Sequence, residues 1–222
     1  MKQRLNWMGH RNESIDALRA VEAYLAKSLD PKLLALVKMR ASQINGCAYC
    51  LHMHSQEARK AGKRVRIIAK MNALLEPEII EALYHASQAG VTIDLIVRGA
   101  CALRPGVEGL SDNISVRSIV GRFLEHTRVF YFYANGAQKM YLSSADWMER
   151  NFFRRIELYF PVLEPKLKRR ILKEGLMPYL ADNTQTWEMD GKGDYRRKRS
   201  RKKGFSAQEA LLAELLAVPA KD

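Results

Sequence analysis

Residues 65–99 read VRIIAKMNALLEPEIIEALYHASQAGVTIDLIVRG. Val65-Arg66-Ile67-Ile68-Ala69-Lys70-Met71 is a short, mostly apolar run rich in β-branched residues, the pattern of a buried strand. Glu76 to Ala89 carries a helical pattern that stops at Gly90, and Thr92-Ile93-Asp94-Leu95-Ile96-Val97-Arg98 is a second strand run. Strand, helix and strand in that order make a β-α-β unit. Such a unit implies a parallel or mixed sheet whose ligand site lies near the carboxyl ends of its strands.

Downstream the same grammar continues. Strand signals fall at Ile114 to Val120, Val129 to Tyr133, Lys139 to Ser143 and Arg155 to Phe160, and Asn135-Gly136 marks the turn between the second and third of these. A long amphipathic helix is expected from Pro165 to about Ala181, then a hairpin around Asp190-Gly191. Ser206-Ala207-Gln208-Glu209 has the spacing of a capping box and opens the last helix.

Upstream of Gly62 the pattern is helical only. Ser14 to Lys27 places Ile15, Leu18, Val21 and Leu25 on one face, and Asp30-Pro31 supplies an N-cap and a first-turn proline for a second helix reaching about Asn45. Gly46 breaks it, and a third helix runs from Cys47 to Gly62. The expected architecture is therefore α/β (α+β), with a mixed-sheet domain over residues 64–222 preceded by an all-helical segment, residues 1–63. The join is placed near Ala61-Gly62-Lys63.

With 222 residues, 47% hydrophobic and 27% charged, the chain has the composition of a soluble globular protein and not of a disordered one. No run of about 18 uncharged apolar residues occurs, and Met1 to Trp7 lacks the apolar core of a signal peptide. The expectation is a cytoplasmic protein with no membrane partner. The net charge of +13 is local: residues 1–63 hold 11 basic and 5 acidic groups, and Arg196 to Lys203 adds seven cations, so the remainder is neutral. The basic run reads as a solvated, mobile segment, with non-specific polyanion binding as its alternative.

Three cysteines are too few for a disulfide framework. Cys101 reads as a buried, inert thiol. Cys47-Ala48-Tyr49-Cys50-Leu51-His52-Met53-His54 is different, because its C-x-x-C opens a helix, where the dipole favours thiolate, and His54 lies one turn after Cys50. Together with the Leu33 to Cys50 text, LLALVKMRASQINGCAYC, residues 1–63 resemble the carboxymuconolactone decarboxylase and alkylhydroperoxidase D-like family. The resemblance implies an oligomeric helical module with thiol peroxidase or disulfide-exchange activity, Cys47 and Cys50 as the redox pair and His54 in a proton relay. A zinc site is not expected from this spacing, and no other metal ligands are assigned. Dimerisation is expected as a way to cover Leu33, Leu36 and Val37.

Phosphoryl transfer needs cations that gather phosphate oxygens and an acid or nucleophile for the moving group. The second part offers Lys70 and Arg98 at strand ends, and His126 and Arg128 two residues apart before a strand. Ser143-Ser144-Ala145-Asp146 follows, then Arg150-Asn151, Arg154-Arg155 and Glu157. A histidine with a cation two residues on, followed by such a turn, resembles the phospholipase D-like architecture.

Four longer passages resemble a particular family. These are Ile67 to Leu74, Ala86 to Gly99, Val116-Arg117-Ser118-Ile119-Val120-Gly121-Arg122-Phe123-Leu124-Glu125-His126, and Tyr141-Leu142-Ser143-Ser144-Ala145-Asp146-Trp147-Met148. They look like the last domain of the polyphosphate kinases. The resemblance implies reversible transfer of the terminal phosphate of ATP to polyphosphate through a phosphohistidine, with Mg2+ and no covalent cofactor. It makes Arg98 and His126 contacts of the transferring phosphate, His126 the second active-site histidine, and Glu157 an acidic residue of the same site. Arg128 and Lys70 are added as phosphate-binding candidates. The phosphorylated histidine belongs to a preceding domain of that family, so this chain is expected to supply the part that binds ATP and polyphosphate and not to turn them over alone, with an inactive chimeric remnant as the alternative.

Overall fold

The computed structural model describes residues 13–30, 34, 65–134, 136–198 and 203–217. The chain divides into two compact units, Met1–Lys63 and Arg64–Asp222. In the first unit, helix α1 spans Glu13–Ser28, and the Ser28 hydroxyl closes its last turn by donating to the Tyr24 carbonyl at 2.9 Å. Val21 on the expected apolar face is exposed, as is Tyr24. Leu34 is buried and its N–H donates to the Asp30 carbonyl at 3.0 Å. The rest of the two further helices expected before Gly62, with Cys47, Cys50 and His54, lies outside the described residues.

The second unit is built on one eight-stranded mixed sheet. Its strands are β1 Val65–Met71, β2 Thr92–Val97, β3 Ile114–Ile119, β4 Arg128–Ala134, β5 Ala137–Ser143, β6 Tyr159–Pro161, β7 Thr186–Met189 and β8 Tyr195–Arg197, in the spatial order β6-β5-β4-β1-β2-β3-β7-β8. Helix α2, Pro77–Gln88, connects β1 to β2, which pair in parallel from Arg66 opposite Thr92 to Met71 opposite Val97. β2 and β3 are also parallel, and every other neighbouring pair is antiparallel. Glu76 caps α2 by accepting the Ile79 N–H at 2.8 Å, and Pro77 occupies the first turn, where a missing N–H costs nothing.

Strand alternation divides the apolar residues between two layers. Ala69, Met71, Leu95 and Phe130 pack on the α2 face with Leu83, while Ile68, Ile96, Ile119, Val129 and Tyr131 pack on the opposite face. That opposite face is covered by the last third of the chain: α3 (Glu149–Phe153) and β6 intervene, then α4 (Pro165–Ile171), α5 (Met177–Ala181) and α6 (Ala207–Leu216) follow, with Leu176, Tyr179 and Ala207 buried against the strands. Lys70 shares the parity of Ile68, so the alternation directs a lysine toward this apolar layer.

Four details depart from the sequence pattern. The helix read from Pro165 to Ala181 is interrupted by a π-helical turn at Leu172–Leu176, where the Met177 N–H reaches the Leu172 carbonyl. Pro178 has no N–H to continue the ordinary ladder, and the wider turn accommodates it. The strand read from Arg155 shrinks to Tyr159–Pro161. At its start the Leu158 N–H donates to the Ser144 hydroxyl and the Leu158 carbonyl accepts from the Ser144 N–H, both at 3.0 Å. Arg196 to Lys198 of the basic run are not free: the first two lie in β8, and Lys198 pairs with Glu188 at 2.6 Å. Residues 199–202 lie outside the described residues. Cys101 is half-buried, and burial raises its thiol to about 11, which leaves it protonated near neutral pH.

Phe130 is fully buried and stacks on Trp147 at 4.7 Å and on Tyr159 at 5.6 Å between ring centroids. Phe130→Ala therefore removes ring contacts on both sides and leaves a cavity the β-sheet cannot collapse into. Urea unfolding of the full chain should show a loss of about 3–5 kcal/mol with little change in m.

Candidate functional site

Every candidate of the second unit is carried at one end of the sheet. β1 ends at Met71 with Asn72 beyond it, β2 ends at Val97 with Arg98 beyond it, and β5 ends at Ser143. β4 runs the other way and begins there, at Arg128. This is the carboxyl end of the parallel strands, where the chain leaves the ladder and its side chains can converge.

An open cleft of about 470 Å³ lies at this end, walled by Lys70, His126, Arg128, Ser143, Glu174 and Tyr179 among others. His126 and Arg128 meet at it. The Nη1 and Nη2 atoms of Arg128 lie 3.2 and 3.3 Å from Nδ1 and Nε2 of His126. A neutral imidazole has one acceptor nitrogen, so at most one of these two contacts is a hydrogen bond donated by the guanidinium. Arg128 also donates to the His126 carbonyl at 3.0 Å.

Asp146 holds Arg128 from behind. Its Oδ1 accepts Arg128 Nε at 3.0 Å and its Oδ2 accepts Nη2 at 2.9 Å, a bidentate pair. The Asn72 N–H donates to the same carboxylate at 2.7 Å, and Asn72 Oδ1 in turn accepts Arg98 Nε at 2.7 Å. One carboxylate and one amide thus register the ends of β1, β2 and β4. Burial works to raise the Asp146 pKa, but the hydrogen bonds from Arg128 and the Asn72 backbone outweigh it and hold the carboxyl below its usual range.

Lys70 lines the cleft floor with its ammonium already engaged. It donates to Glu125 Oε2 at 2.6 Å and to the Thr127 hydroxyl at 2.8 Å, and it lies 3.6 Å from the centroid of the Tyr179 ring. Lys70 is 2% exposed and Glu125 8%, so this is a buried ion pair. Burial lowers the Lys70 pKa against the opposing pull of Glu125, and burial, with the Glu125 carboxylate beside it, raises that of Tyr179.

Arg98 and Glu157 stand outside the cleft wall. Arg98 joins through Asn72, and its carbonyl accepts the Ser118 hydroxyl at 2.8 Å. Glu157 accepts a short hydrogen bond from the Ser144 hydroxyl, beside Ser143 of the wall. Its ordinary alternative, an ion pair with a neighbouring arginine, is not formed with Arg154, which pairs with Glu149 at 3.5 Å. Among the described residues, no group of three or more His, Cys, Asp or Glu is placed to hold a metal ion. The described residues suit phosphate oxygens and do not offer Mg2+ a cage of their own.

Sequence reasoning overlooked Asn72, Glu125, Thr127, Asp146, Tyr179 and Gln208. Four of these lay inside quoted motifs, Asn72 and Asp146 just past strand ends, Glu125 immediately before His126, and Gln208 in the capping box of the last helix. Acidic residues among cations were the signal available. A cation pre-positioned at low dielectric needs a carboxylate behind it.

A family model described as polyphosphate kinase C-terminal domain 2 matches residues 42–208. The chain belongs to this family. The match begins ahead of Arg64 and so takes in Cys47, Cys50 and His54 as well as the sheet domain. The polyphosphate kinase of Burkholderia multivorans is 64% identical over 155 residues, covering 70% of this chain and 23% of the relative. That of Paraburkholderia phytofirmans is 54% identical over 187 residues, 84% of this chain and 25% of the relative. The crystal structure of polyphosphate kinase from Porphyromonas gingivalis matches with a TM-score of 0.67 at 39% identity, over 78% of this chain and 26% of that one. A phospholipase D family member, Nuc from Salmonella typhimurium, matches at a TM-score of 0.41 and 13% identity, too slight a likeness to support any conclusion. The chain spans about a quarter of the length of the polyphosphate kinases it matches.

The lowered Asp146 pKa fixes the sign of a pH effect. A depressed carboxyl contributes stability that is fully present above its unfolded pKa and is lost as pH falls through the folded one. Asp146→Asn should therefore cost about 3–5 kcal/mol at pH 7, where it leaves Arg128 without its counter-charge. The gap between native and variant chains should begin to close as pH falls below about 4 and go on closing as pH falls through the lowered folded pKa, read by urea midpoints on acidification.

Proposed function

We propose that the sheet domain of this chain binds the phosphate groups of ATP and polyphosphate and forms one side of a polyphosphate kinase phosphoryl-transfer site. The close approach of His126 and Arg128, with Arg128 fixed by Asp146 at the cleft, is the observation that carries the reading. Of the five N–H groups of Arg128, Asp146 takes two and the His126 carbonyl one, and a neutral His126 ring can accept one more, which leaves at least one for a phosphate oxygen. Arg98 lies beside it through Asn72 and supplies a second cation.

In this reading His126 gives a proton, or positive charge, to the oxygen that leaves as the terminal phosphate of ATP moves. The nucleophilic histidine is the part that family resemblance assigns to a preceding domain, so the sheet domain supplies binding and leaving-group stabilisation. Mg2+ enters with the nucleotide, bound mainly by its phosphates and water, as is usual for this ion. Glu157 lies next to the cleft wall as an acidic neighbour, held by Ser144. No helix among the described residues is long and apolar enough to cross a membrane, and the use of ATP favours the cytoplasm.

Calorimetric titration of the full chain with magnesium-ATP and with inorganic tripolyphosphate tests this. Arg98→Ala and His126→Ala should each weaken binding about tenfold or more, the value of one hydrogen bond to a charged group. Binding that ignores both substitutions and fades steeply with salt would assign the affinity to the basic run at 196–203 and sink the proposal.

For residues 1–63 we propose thiol-disulfide exchange through Cys47 and Cys50 with His54 as proton carrier, supported by the C-x-x-C motif and its flanking text. Pairing of two copies through this segment belongs to the same reading. Hydroperoxide consumption with a dithiol reductant should disappear in Cys50→Ser; a rate equal to that of reductant alone in the native chain would end the idea.

A further inference from the structure

His126 sits on a segment with little structure of its own. Residues 120–127 connect β3 to β4 without helix or strand, and Gly121 to Leu124 are exposed. A catalytic group on so open a connection needs external anchors to stay within the fraction of an ångström that transfer chemistry requires.

Those anchors come from residues distant in sequence. Gln208, on the first turn of α6, is 5% exposed. Its Oε1 accepts the Phe123 N–H at 2.9 Å, and its Nε2 donates to the Phe123 carbonyl at 2.8 Å and to Glu125 Oε1 at 2.6 Å. The side-chain amide thus pairs with Phe123 as a neighbouring strand would, and its spare N–H takes hold of Glu125. The other Glu125 oxygen accepts Lys70, which also holds Thr127. The residues on either side of His126 are therefore tied to one buried cluster, and the far end of that cluster is Gln208.

α6 is itself fixed. The buried Asp182 carboxylate accepts the Ala207 N–H at 2.8 Å together with the N–H groups of Thr184 and Gln185 at 3.0 and 2.8 Å. Gly121 records how close the contact is, since a Cβ there would fall 2.5 Å from Gln208 Oε1. These bonds do not distinguish a helix that merely caps the fold from one that sets the histidine. The chemistry of the amide does: only a group that accepts from one side and donates from the other satisfies Phe123 and Glu125 together.

We infer that Gln208 is a positioning residue for His126, acting through Phe123 and Glu125, so that α6 sets the place of the histidine in the phosphate cleft. The inference rests on the phosphate-binding reading above for its consequence, but its geometric part can be tested without it. The test follows the His126 ring nuclei by NMR pH titration in the full chain, together with tripolyphosphate affinity, in native, Gln208→Ala, Gln208→Glu and Gly121→Ala forms.

Gln208→Ala should shift the His126 titration, speed amide exchange at Phe123 and weaken tripolyphosphate binding about tenfold, while exchange in β1 and β2 stays native. Gly121→Ala, which displaces the Gln208 amide, should act in the same direction. Gln208→Glu supplies the discriminating readout. At pH 5 the new carboxyl, facing Glu125 with Lys70 and Tyr179 behind it, carries a proton; it can accept from the Phe123 N–H and donate one of the two hydrogen bonds that the amide donates, so behaviour moves part of the way back toward that of the native chain at the same pH. At pH 8 it is ionised, faces the Phe123 carbonyl and Glu125 as an acceptor only, and fails.

An unchanged His126 titration in Gln208→Ala, or a Gln208→Glu chain that behaves alike at both pH values, would overturn the inference. Absence of tripolyphosphate binding in the native chain would instead overturn the phosphate-binding reading. The His126 titration would then still decide whether Gln208 positions the ring.

Discussion

The Asp146 carboxylate is the constraint on which the sheet end depends. It receives the Arg128 fork and the Asn72 N–H, and through Asn72 it registers Arg98. The next residue serves the core: Trp147 stacks on Phe130, its N–H donates to Ala73, and its carbonyl accepts the N–H groups of Leu75 and Glu76. One turn therefore sutures the segment after β1 on both sides, with a polar stitch facing the cleft and an apolar stitch facing α2. Loss of either stitch frees the segment that the other also needs, which is why site geometry and core stability are not separable here.

The fold was legible because its signals are local. β1 and β2 are short apolar runs bounded by helix and glycine signals, and Gly136 takes the left-handed conformation that the Asn-Gly turn between β4 and β5 requires. The misses have physical causes of longer range. A π turn before Pro178 leaves the apolar spacing nearly intact, so periodicity reads through it. β6 is an edge strand whose first residues bond to the Ser143-Ser144 turn, a partner that no local pattern announces.

The site divides in the same way. His126 and the cations Arg128 and Arg98 were visible near strand ends, where polar and charged side chains are out of place unless they have work to do. Their partners Glu125, Asp146 and Gln208 were not, because a carboxylate or amide in a loop or first helical turn looks the same whether it faces water or a buried lysine. Lys70 shows the limit most clearly. Its place at a strand end suggested a phosphate ligand, yet strand parity carries it into the apolar layer, where Glu125 and Thr127 take its hydrogen bonds.

The excess positive charge lies in residues 1–63 and the basic run, whereas Lys70 and Arg128 each have a buried carboxylate partner. Unpaired, two such cations at low dielectric would repel each other and favour unfolding. Paired from behind, Arg128 keeps its orientation at the cleft, whereas the Lys70 ammonium is taken up by Glu125 and Thr127. In the phosphate-binding reading proposed above, a phosphate at Arg128 would meet a donor whose ordering cost was met when the chain folded, leaving more of its interaction energy for the transferring group. The cost is rigidity of the connection that bears His126, and the fold meets that requirement with side chains from β1 and α6, far from it in sequence.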